Sequence, residues 1–100
     1  MYTILPEVYD ELAASLSCRI GDGSYFAGTV ETLSGDVCVT LRATLILYRS
    51  RDVRPDGEVS AVADVVPVWW ECHTVCGAVE MLNDFDFAEL RRRLAASDIR

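Results

Sequence analysis

The sequence predicts an α+β fold, in which an antiparallel meander of three or four strands carries an N-terminal and a C-terminal helix on one face. Three observations predict it. Apolar residues near both ends recur at helical spacing, the middle of the chain alternates apolar and polar residues, and glycine-containing pairs divide that middle into strands. A chain of 100 residues suits a single compact domain, read as 1–100.

The first helix is expected from Pro6 to about Leu16. Leu5, Val8, Leu12 and Leu16 lie on one stripe, Pro6 fits the first helical position, and Glu7 sits at the positive end of the helix dipole. Ser17 to Ile20 reads as a short strand before the break at Gly21-Asp22-Gly23. Strands follow over Tyr25 to Leu33 and Asp36 to Ser50, joined by a turn at Ser34-Gly35. That turn sets Val30 opposite Val39, Gly28 opposite Leu41 and Phe26 opposite Ala43. A second turn at Asp56-Gly57, after Pro55, leads into a strand from Glu58 to Cys72. Its register opposes Leu47 to Val66, Leu45 to Val68 and Ala43 to Trp70, and pairs Arg49 with Asp64 and Arg42 with Glu71. Ala78 to Leu82 fits a short strand or one turn of helix. The last helix, Phe87 to about Ala96, opens on Asp86 as N-cap with Glu89 three residues on, and carries Phe87, Leu90 and Leu94 as its apolar stripe.

These registers predict two different sheet faces. One carries Phe26, Val30, Val37, Val39, Leu41, Leu45 and Leu47, together with Val66, Val68 and Trp70, and receives both helices. The other carries Ile46, Tyr48, Val65, Pro67 and Trp69 near the second hairpin, then turns polar at Thr29, Thr40, Arg42 and Glu71. Two helices cannot cover both faces, and an apolar patch left open on a small domain marks an interaction surface. The competing expectation is that the segment from Thr74 to Asn83 folds over it. Pro67 inside a strand points to an edge or a bulge, so Glu58 to Cys72 is also a candidate open edge.

Charge and cysteine content narrow the partners. Sixteen acidic residues face nine basic ones, all arginine, for a net charge of −7. Such a chain repels a phosphate backbone, and the expectation is no nucleic-acid partner. No apolar run reaches the roughly 18 residues of a membrane helix. Glu7, Asp10 and Glu11 interrupt the order of a secretory signal, which predicts a reducing, cytoplasmic setting with Cys18, Cys38, Cys72 and Cys76 as free thiols.

Two constellations carry candidate chemistry. Cys72, His73 and Cys76 have the composition of metal ligands. In a strand, however, residues four apart are separated by about 13 Å and neighbours point to opposite faces, so the expected metal assignment is none. Cys38, His73 and Glu71 fall on one face and resemble the parts of a cysteine nucleophile in type alone, with no oxyanion hole in sight. Asp84 and Asp86 stand just before a helix and read as capping groups. Gly21, Gly23, Gly28 and Gly35 match no dinucleotide or phosphate-loop pattern, and no cofactor is expected.

The residues therefore favour a non-enzymatic protein-interaction module, homodimeric through the outer face around Tyr48, Val65 and Trp69 or through an open sheet edge. The alternative is a thiol-dependent or zinc-binding protein using Cys38, Cys72, His73 and Cys76.

Overall fold

The computed structural model contains α1 (Pro6–Ile20), β1 (Tyr25–Ser34), β2 (Val37–Arg54), β3 (Gly57–Cys76), β4 (Val79–Met81) and α2 (Phe87–Ser97). It describes residues 1–21, 23–55 and 57–97, with side chains for these outside 50–54, 58–62 and 95–97. The four strands form one antiparallel sheet in the order β1-β2-β3-β4, with one helix before it and one after. This is the α+β meander that the sequence predicts. No helix among the described residues is long and apolar enough to cross a membrane.

Both helices lie on the same face, α1 over β1, α2 over β3, and each against the other. Leu12 and Leu16 of α1, Leu41 and Leu45 of β2, and Leu90 of α2 are fully buried between the layers. Burial of each such side chain contributes roughly 1.5–3 kcal/mol, so this layer carries most of the stability. Ser17 to Ile20 is the last turn of α1, not a strand. The helix continues to Gly21, whose φ of 57° suits glycine and whose N–H donates to the Ser17 carbonyl at 3.0 Å. Asp86 caps α2 by accepting from the Ala88 N–H at 3.0 Å. Its own N–H donates to the Tyr9 hydroxyl at 3.0 Å, so Tyr9, and not Glu89, completes this cap. Asp84 accepts from the Ile4 N–H at 2.7 Å and tethers the N-terminal segment.

The first hairpin turns at Gly35-Asp36, one residue later than expected. Ser34 pairs with Val37, Val30 with Leu41 and Phe26 with Leu45. Gly35 supplies the positive φ, 61°, at the first central position of the turn. The pairing moves by two residues, so every side chain keeps its expected face. The second hairpin differs more. Ala43 pairs with Trp70 and Arg42 with Glu71, as expected. The register then shifts between Thr44 and Leu45, and again between Tyr48 and Arg49. Leu45 therefore meets Pro67, Leu47 meets Val65, Tyr48 meets Asp64 and Arg49 meets Val62, which replaces the Leu45–Val68, Leu47–Val66 and Arg49–Asp64 pairs. Of the turn expected at Asp56-Gly57, Asp56 lies outside the described residues, and Gly57 pairs with Arg54.

The two shifts leave Val68 and Ala63 without partners on β2. An extra residue in one strand turns all that follow to the other face. Val65, expected on the outer face, is fully buried, while Val66 and Val68, expected in the core, are exposed. Trp70 keeps its face and packs beside Phe85 and Phe87, with ring centroids 5.1 and 6.1 Å away. The segment from Thr74 to Asn83 does not fold over the outer face. It turns back as β4, which pairs in the sheet plane with Thr74 to Cys76.

Candidate functional site

The outer face follows from this register. Three adjacent rows run across the sheet: Tyr25–Ile46–Val66, then Ala27–Thr44–Trp69, then Thr29–Arg42–Glu71. Tyr48 extends the apolar part toward the second hairpin. Tyr25 is 61% exposed, Tyr48 55% and Trp69 48%, and Ile46 and Val66 are more than a third exposed. On the helix-covered face, by contrast, Phe26, Val30, Val39, Leu41, Leu45 and Leu47 are buried. Of the expected patch, Ile46, Tyr48 and Trp69 lie together here, Pro67 stands half-buried opposite Leu45, and Val65 faces the helices. Tyr25 and Val66 belong to the patch although sequence reasoning missed them. Tyr25 was legible as the odd-numbered start of β1; Val66 was hidden by the register shift.

Charged groups border the patch in a chain. The Arg42 guanidinium lies 5.8 Å from the Trp69 ring centre and donates to Glu71 Oε1 at 3.2 Å. Glu71 Oε2 is 3.4 Å from His73 Nε2, and His73 Nδ1 is 3.1 Å from Glu80 Oε1. Both imidazole nitrogens thus face carboxylates. His73 pairs with Thr40 as the register required, and Cys38 with Val75. The Cys38 thiol instead lies 3.9 Å from Glu31 Oε2 and 3.8 Å from the Thr40 hydroxyl. The contacts of this thiol are thus with Glu31 and Thr40, and those of the imidazole with Glu71 and Glu80.

The Cys72, His73, Cys76 trio is divided by the strand. His73 stands on the outer face, and Cys72 packs partly buried against the helix-side core. Burial pushes the Cys72 thiol from 9.0 to about 12, which disfavours the thiolate that metal binding and nucleophilic attack require. Among the described residues, no three His, Cys, Asp or Glu side chains come together in a way that could hold a metal ion.

Comparison with protein families, curated proteins and solved structures finds no match to this chain.

Proposed function

We propose that this protein is a non-enzymatic interaction module that works as a homodimer, its two copies stacked through the outer sheet face. The observation that carries this reading is the exposed group of Tyr25, Ile46, Tyr48, Val66 and Trp69 on a face that neither helix covers. Aromatic residues with arginine nearby are the residue types enriched at the centres of protein interfaces. Water contact with such a patch is unfavourable by about 25 cal/mol for every Å² of apolar surface that a partner would cover.

A second copy suits the patch because a two-fold axis sets the same surface against itself. An apolar centre beside the Arg42–Glu71 ion pair is complementary to its own image, since either charge of that pair can meet the opposite one across the axis. Sheets packed in this way lie about 10 Å apart, with aromatic side chains filling the gap.

The test is sedimentation velocity on the full chain. The wild type is expected to sediment as a dimer, and Trp69→Arg and Tyr48→Arg as monomers with unchanged far-ultraviolet circular dichroism. A monomeric wild type, or variants that remain dimeric, would overturn the reading.

A further inference from the structure

We infer that the free edge of β1, together with the flank of α1, forms a docking groove for an extended peptide that adds a fifth strand to the sheet. β1 is one of the two outermost strands, and no strand among the described residues pairs with its other side. The Leu47 N–H donates to the Ser24 carbonyl at 2.9 Å, which fixes the alternation of the ladder. Even-numbered residues of β1 bond to β2, and the backbone groups of Thr29, Glu31 and Leu33 point outward. The Thr29 carbonyl shows this directly, because it accepts a hydrogen bond from the Arg19 guanidinium of α1. That guanidinium occupies the place of an incoming strand's N–H.

Two hollows of about 520 and 490 Å³ lie along this edge and share Glu31 as a wall. α1 lines them with Ser15 and Arg19 at one end and Glu11 at the other. Glu11, Ser15 and Arg19 are four residues apart in sequence and form one stripe, and Glu11 accepts a hydrogen bond from the Thr32 hydroxyl. Eight helical residues rise about 12 Å, and four strand residues about 13 Å. The cation and the anion of α1 therefore match two side chains of an added strand that are four residues apart and on one face. For an antiparallel strand, the basic residue comes first, beside Glu11, and the acidic residue follows, beside Arg19.

The helix also selects a bare strand over a second copy. α1 packs over β1 itself. Joining two β1 edges would bring two such helices to the spacing of adjacent strands, about 4.8 Å, whereas packed helices need about 8–10 Å. An isolated peptide brings no helix. Main-chain bonds to β1 would supply affinity, and the two charges would supply register.

The probe is a fluorescein-labelled peptide, acetyl-Ser-Lys-Val-Thr-Val-Glu-Ser-amide, titrated with the full-length protein and read by anisotropy. Saturable binding is expected, with hydrogen-exchange protection gained at Thr29, Glu31 and Leu33. Arg19→Glu should weaken it about tenfold, and a peptide with Lys in place of Glu should restore it on that variant. Glu11→Arg paired with a peptide bearing Glu in place of Lys makes the mirror test, so the result does not rest on one variant. Absence of saturable binding, equal affinity for Arg19→Glu, or protection outside β1 would overturn the groove. So would a Trp69→Arg protein that stays dimeric until Arg19 is reversed, because a second copy would then hold this edge. The groove lies apart from the outer face, so Trp69→Arg should bind the peptide as the wild type does. Loss of the dimer and loss of peptide binding are therefore separate failures.

Discussion

The two faces of this sheet come from the same strands, yet they are built to different ends. Along β2, Val39, Leu41, Ala43, Leu45 and Leu47 point to the helices and are buried, while Arg42, Ile46 and Tyr48, interleaved with them, point away and stay exposed. The contrast is not one of polarity alone, since Tyr25, Ile46, Tyr48, Val66 and Trp69 are as apolar as many core residues. The inner face obtains its cover from its own chain, whereas neither helix covers the outer face. A strand pattern establishes that a face can be buried; only the number of covering elements decides whether the chain buries it alone.

That contrast can be broken most strongly from the inside. Leu45→Ala removes a fully buried side chain and should destabilise the fold by about 2–5 kcal/mol in urea denaturation. Val65 and Val68 sharpen the boundary between the faces. Val65→Ala should cost about 1–3 kcal/mol, while Val68→Ala at the exposed bulge should stay within about 0.5 kcal/mol. The reverse order would place the register shift elsewhere and return Val68 to the core.

A smaller effect distinguishes the faces by pH. Burial raises the Cys72 thiol from 9.0 to about 12. Below pH 9 the folded and unfolded chains both hold this proton, and the group makes no difference to stability. As pH rises from 9 toward 12, the unfolded chain ionises first and stability falls. Cys72→Ala should flatten the alkaline limb of the stability curve relative to the wild type. In the native protein at pH 8, Cys72 should also be alkylated by iodoacetamide more slowly than the exposed Cys18 and Cys76. The smallest effect is expected outside. Tyr48→Ser should change the stability of the isolated protomer by no more than about 0.5 kcal/mol.

Much of the fold was legible because it depends on parity. The turn at Gly35-Asp36 moves every pair of the first hairpin by two residues and changes no face, so Phe26, Val30, Val39 and Leu41 lie on the face that their alternation predicts. The shifts within β2–β3 are of one residue each, and a one-residue shift inverts a strand. Pro67 signals an irregularity but cannot say which neighbour is extruded, so Val65 and Val66 exchanged roles. The end of α1 was obscured for a different reason. Ser17-Cys18-Arg19-Ile20 has a strand-like composition, yet the helix continues through it to Gly21, and the sequence gives no propensity signal for the Arg19 contacts with the Phe26 ring and the Thr29 carbonyl. The β1 groove was missed for the same reason, since it depends on where α1 lies and not on any motif.

The most direct test of the outer face as the dimer seam is hydroxyl-radical footprinting across a dilution series that spans the monomer–dimer transition. Tyr48 and Trp69 should be modified rapidly in the dilute protomer and protected as the dimer forms, while Cys18 on the far side of α1 stays equally reactive. If Tyr48 and Trp69 remain fully reactive in a solution that sedimentation shows to be dimeric, the two copies meet elsewhere and the central claim fails.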